Sequence, residues 1–149
     1  MFLRQDKRLV RIGLLLALLT AGCSAQRARN NQLLKEWTAK CREAADLLKT
    51  VHDVPSAKAA APKLKVAMEE LHRLEELLDQ TDDPEDVDVL SQSTAIEHVA
   101  QGIAEMQRLM EESVRIGKNR ELREALGEAW DLLPAAGLLD EAGNPIQGE

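Results

Sequence analysis

An all-α antiparallel bundle of three long helices plus a short fourth, after an N-terminal signal peptide, is the fold this sequence predicts. Three observations lead there. Aromatic residues are only 2% of the chain, and Ala, Leu, Glu, Lys and Arg dominate, a composition of helices rather than of sandwiches or barrels. Apolar residues recur at alternating spacings of three and four along three long segments. The gaps between those segments are short and rich in residues that cap or start helices.

The first stripe is Leu34, Trp37, Cys41, Ala44, Leu48 and Val51. The second is Ala57, Ala60, Leu64, Ala67, Leu71, Leu74 and Leu78. The third is Ile96, Val99, Ile103, Met106 and Met110, continued by Ser113 and Gly117. Each stripe needs partner helices to cover it, and three of them can bury one another. Asp53-Val54-Pro55-Ser56 separates the first pair, with Ser56 as the predicted N-cap. Gln80 to Pro84 separates the second pair, with Asp83 as cap and Pro84 at the first helical position. Gly117-Lys118-Asn119 ends the third helix. Asn119 then caps a fourth, spanning about residues 120–133 and carrying Leu122, Leu126, Trp130 and Leu133. Short connections imply antiparallel neighbours.

Two features conflict with this pattern. Pro62 lies inside the second helix, where it removes a backbone hydrogen bond and predicts a kink. Residues 90–95, Leu-Ser-Gln-Ser-Thr-Ala, predict a weak or bent start to the third helix. The tail 134–149 is turn-rich, with Pro134, Gly137, Gly143, Asn144-Pro145 and Gly148. Leu138, Leu139 and Ile146 could dock it on the bundle, and a loose tail fits equally well.

The N-terminus reads as an export signal. Arg4, Lys7, Arg8 and Arg11 precede an apolar run from Ile12 to Leu19, and small residues follow. The run is too short for a permanent membrane helix, which needs about 20 apolar residues. The exit Ala21-Gly22-Cys23 resembles the lipobox of bacterial lipoproteins, although Thr20 stands where that family usually has Leu. The resemblance implies acylation of Cys23 and cleavage before it. Ser24 after the cysteine, rather than Asp, implies an outer-membrane destination facing the periplasm. The alternative is ordinary cleavage after Ala25, with Cys23-Ser24-Ala25 as the small-residue site. The expected organisation is a signal peptide 1–22, a lipidated tether 23–32, a helical domain 33–133 and a tail 134–149.

Removing residues 1–22 takes away four cations and one acid, leaving 15 basic and 25 acidic residues and a net charge of −10 instead of −7. Such a body is repelled by anionic headgroups and by nucleic acid, so membrane association would rest on the acyl chains. Without Tyr, and with Phe2 its single Phe, the chain also lacks a platform for stacking bases.

Chemistry-bearing motifs are sparse. Glu69-x-x-His72 has the spacing of carboxylate-bridged di-iron bundles, but Glu97 stands directly beside His98 and no second such pair exists. His72 and His98 fall off the apolar stripes and His52 lies at a helix end, so all three read as solvated. No Cys-x-x-Cys-His is present for haem attachment. Met106 and Met110 read as core filling. Cys41 on the first stripe reads as a buried small hydrophobe, with an intermolecular disulfide as the other reading. The acidic pairs Glu69-Glu70, Glu75-Glu76, Glu111-Glu112 and Asp82-Asp83 read as solvated faces and helix starts, and Glu69 is expected to pair with Arg73. No phosphate loop, serine elbow or zinc spacing occurs, so no metal ligand, cofactor or catalytic residue is assigned.

Residues 44–51, Ala-Ala-Asp-Leu-Leu-Lys-Thr-Val, and 56–64, Ser-Ala-Lys-Ala-Ala-Ala-Pro-Lys-Leu, look like a pattern shared by small exported helical proteins of bacteria. Arg115-Ile116-x-x-Asn119-x-Glu121-Leu122 and Ala125-Leu126 are similar to their later helices, so the likeness spans about residues 44–129. It implies a shared fold in which Pro62 is tolerated within one kinked helix, and no activity. The expected function is therefore non-catalytic: an acidic helical module on the envelope, anchored through Cys23, with a structural role or a partner that is another envelope protein or a second copy. The alternative is a small-ligand or metal-binding bundle using core space near Met106, Met110 and Cys41.

Overall fold

The computed structural model describes residues 24–80, 93–140 and 143–144. Three long helices dominate: α1 (Ser24–Lys49), α2 (Val54–Asp79) and α3 (Ser93–Gly117). Two short ones follow, α4 (Arg120–Leu126) and α5 (Glu128–Asp131). Helix α1 is the centre, packing closely on both α2 and α3, while α4 and α5 cover the other flank of α2. Partners on α1 and α3 rise in number together, Arg42 with Glu105 and Asp46 with Arg108, so these two helices run parallel. Trp37 of α1 meets Glu75 of α2, and Leu47 shares a groove with Pro62 and Val66, so α2 runs against them. The bundle is thus up-down-up.

Every residue of the first two predicted stripes is buried. The third stripe is rotated by about one residue. Ile96 is 52% exposed, and Ile103, Met106 and Met110 are half-buried. Val99, Ser113 and Gly117 of the predicted stripe are buried, and the rest of the core side of α3 is Gly102, Leu109 and Ile116. The cause is close approach: a Cβ on Gly102 would stand 3.0 Å from both Trp37 and Thr38 of α1. A glycine at that point leaves room for the Trp37 and Thr38 side chains between the two helices.

Other boundaries differ for local reasons. Helix α1 reaches back to Ser24 through the residues read as a tether, and Asn30 within them is buried. That segment contains no Gly or Pro to stop a helix. Asp53, not Ser56, caps α2: its side chain accepts from Ser56 N at 2.8 Å, and Ser56 Oγ accepts from Asp53 N at 3.0 Å. This reciprocal capping box uses Ser56 from inside the first turn. Helix α2 continues through Pro62, which lies on its exposed face. The predicted fourth helix is split by Gly127, whose φ of 53° lies in the left-handed region that glycine tolerates. Leu122, Leu126 and Leu133 are buried as predicted, but Ala129 takes the core position and Trp130 is half-buried. Asn119 caps α4, accepting from Glu121 N and Leu122 N. The Asp83 cap, Pro84, residues 90–92 and Ile146 lie outside the described residues.

The described part of the tail is docked. Ala135 and Leu139 are buried, and a turn from Asp140 to Asn144 closes with two hydrogen bonds of 2.8 Å. A Cβ on Gly143, where φ is 81°, would stand 2.7 Å from the Gly117 carbonyl oxygen. A glycine is what allows the tail to lie against the end of α3.

Candidate functional site

The groups with chemical potential fall into three places: the bundle interior, the α1–α3 seam and the outer surface. In the interior, Cys41 is fully buried and free. Burial first, and then the nearby Glu75 and Glu105 carboxylates, push its thiol far above the ordinary cysteine range. A thiol so held is neither a nucleophile nor a ready metal ligand. Full burial also overturns the disulfide reading, because no second chain reaches this sulfur without opening α1. The interior polar groups Thr38 and Ser113 are each satisfied within their own helix, donating to Leu34 O at 2.8 Å and Leu109 O at 2.6 Å.

The histidines do not converge. His52 is exposed beside the α2 cap, while His72 and His98 are half-buried rather than fully solvated. Among the described residues, no cluster of three His, Cys, Asp or Glu side chains is placed to hold a metal ion. Arg73 pairs with Glu70 rather than with Glu69, which Lys65 approaches at 4.0 Å. Met106 packs against the core from its edge, and Leu109 occupies the position that the sequence suggested for Met110.

The α1–α3 seam carries an ion ladder that the sequence reading missed. Glu105 accepts from Arg42 at 2.9 Å and from Arg108 at 2.7 Å, and Arg108 continues to Asp46 at 2.8 Å. Burial disfavours the Glu105 carboxylate, but hydrogen bonds from Arg42 and Arg108 outweigh it and hold its pKa below the usual carboxylate value. Helical spacing pairs Glu105 with Arg108, three residues apart, but the cross-helix partners Arg42–Glu105 and Asp46–Arg108 lie too far apart in sequence for any helical spacing to have paired them.

On the outside, Glu43, Leu47, Pro62, Lys63 and Val66 line a shallow open groove between α1 and α2. Val66 is 64% exposed. Among the described residues no helix is long and apolar enough to cross a membrane. Cys23 lies outside the described residues, and the helix begins at the next residue, Ser24. No protein-family profile matches this chain, and no curated protein or solved structure is found to be similar to it.

Proposed function

We propose that this chain is a non-catalytic envelope lipoprotein, lipid-anchored through Cys23 on the outer membrane, whose acidic helical body binds a protein partner. The signal pattern ending at Ala21-Gly22-Cys23 supports the anchor. The observation that carries the partner-binding role is the way the interior is closed. The stripes of α1 and α2 are completely buried among the five helices, the interior thiol is held protonated, and the interior hydroxyls bond to their own helices. Apart from the buried, unpartnered side-chain oxygens of Asn30 and Asn31 near the start of α1, the groups left to act are on the outer faces, where the apolar groove beside Val66 interrupts a charged surface.

Because α1 extends back to Ser24, an acyl group on Cys23 would leave little or no tether before the helical body. The body would then stand close to the lipid surface, despite its net negative charge. Envelope fractionation of a Cys23→Ala variant tests the anchor. The variant should leave the membrane fraction or accumulate unprocessed. Normal processing with undiminished membrane association would overturn the anchor.

A further inference from the structure

We propose that the outer face of α2 is a self-association surface, on which a second copy of this chain lays its own α2 antiparallel, crossing near Val66. This rests on the reading of the body as a partner-binding module and names the partner.

Pro55, Ala59, Pro62 and Val66 are all exposed and recur at spacings of four, three and four, forming an apolar line along the solvent side of α2. Lys58 and Lys63 flank that line, and neither has an ion pair among the described residues. Half-buried Leu77 lies on the same side near the other end. The charges of α2 are segregated. Between Val54 and Met68 there are three lysines and no acid; between Glu69 and Asp79 there are five acids and one arginine. Asp53 at the N-cap favours the helix dipole, but beyond it the lysines lie toward the N-terminal half and the acids toward the C-terminal end, which opposes it.

An antiparallel second copy removes that conflict. With the crossing near Val66, Lys63 lies opposite the partner's Glu70, which within its own chain also pairs with Arg73. Lys58 lies opposite the partner's Glu76, and Pro55 opposite the partner's Leu77. Two-fold symmetry repeats each pair, as a self-complementary interface requires. Of these acids, Glu76 has no ion pair among the described residues. The groove of Leu47, Pro62 and Val66 receives the apolar ridge of the other copy. A parallel pairing would set lysine on lysine and glutamate on glutamate, so the charge pattern selects one orientation. The face is narrow: 26 residues give a helix of about 39 Å. One narrow helix face makes a small interface beside the roughly 800 Å² per partner of stable complexes, so the dimer proposed is weak and salt-sensitive.

The test uses the full chain in mild detergent, with single cysteines introduced under mild oxidation. Val66→Cys should form a covalent dimer. Lys58→Cys and Glu76→Cys should not dimerise alone but should cross-link when mixed. The unaltered chain is the control for Cys23, and buried Cys41 does not compete. Lys58→Glu with Lys63→Glu should weaken association, read by sedimentation, by about tenfold or more. Mixing with a chain carrying Glu70→Lys and Glu76→Lys should restore it. Both lysine replacements put acid in the first half of α2, which its dipole favours, so circular dichroism should show the helix intact. Cross-linking at Val66→Cys no stronger than at Ile96→Cys, or indifference to charge reversal, overturns the proposal. A monomer whose Val66→Cys captures a different envelope protein overturns self-pairing and leaves the partner-binding reading standing. A monomer that captures nothing counts against both.

Discussion

The Arg115 guanidinium on α3 donates to two backbone carbonyl oxygens, that of Leu48 in the last turn of α1 at 2.7 Å and that of Val51 just beyond it at 3.0 Å. The last carbonyls of a helix have no partner within it and carry partial negative charge. The Leu48 carbonyl also accepts from Val51 N at 2.9 Å, and the cation from the neighbouring parallel helix adds a second bond there and one to Val51, which pins the two ends together. Glu112, one turn earlier on α3, holds the guanidinium from the other side at 2.7 Å.

Arg115→Met should therefore destabilise the protein by about 1–2 kcal/mol, the range for losing hydrogen bonds to a charged group that is partly solvated. Arg115→Lys should recover only part of this, because an ammonium cannot span two acceptors as the planar fork does. Urea unfolding midpoints give the ranking, and equal stability of all three proteins would contradict it.

The rotation of α3 predicts an inversion between neighbours. Leu109→Ala should cost about 2–5 kcal/mol, as for a fully buried leucine. Met110→Ala should cost less than about 1 kcal/mol, because its side chain is only half-buried. The reverse order would restore the stripe read from the sequence.

Glu105 should make part of the stability depend on pH. Its folded pKa lies below the ordinary 4.5, so its contribution is present above that value and is lost as pH falls through the folded value. Asp53, Glu70 and Glu128 shift the same way, so the informative quantity is a difference between two proteins. Glu105→Gln should lose about 1 kcal/mol at neutral pH and approach the unaltered protein in acid. Parallel stability curves from about pH 6 to about pH 3 would contradict this.

Gly117 is where the tail meets the bundle. A Cβ there would overlap the Leu139 side chain and stand 2.8 Å from Trp130 Cη2. Gly117→Ala should displace the tail, destabilise by about 1–3 kcal/mol and change Trp130 fluorescence. Unchanged emission and stability would mean that the tail packs elsewhere.

Much of the fold was legible because apolar spacing alone specifies which face of a helix is buried. The stripes from Leu34 to Val51 and from Ala57 to Leu78 fall on the core without exception. Helix α3 was ambiguous because two stripes one residue apart overlap on it. The larger side chains, Ile96 and Met110, favoured one stripe, while backbone approach at Gly102 selected the other. The split at Gly127 and the seam of Arg42, Glu105, Arg108 and Asp46 depend on tertiary geometry that no local pattern encodes. Of the candidate site, the sequence pointed to the burial of Cys41 but not to the carboxylates Glu75 and Glu105 beside it.

The intact mass of the protein isolated from its own envelope tests the central claim most directly. A chain beginning at Cys23 and carrying covalently bound acyl chains is the result predicted. An unmodified chain beginning at Gln26, the product of ordinary cleavage after Ala25, would contradict it.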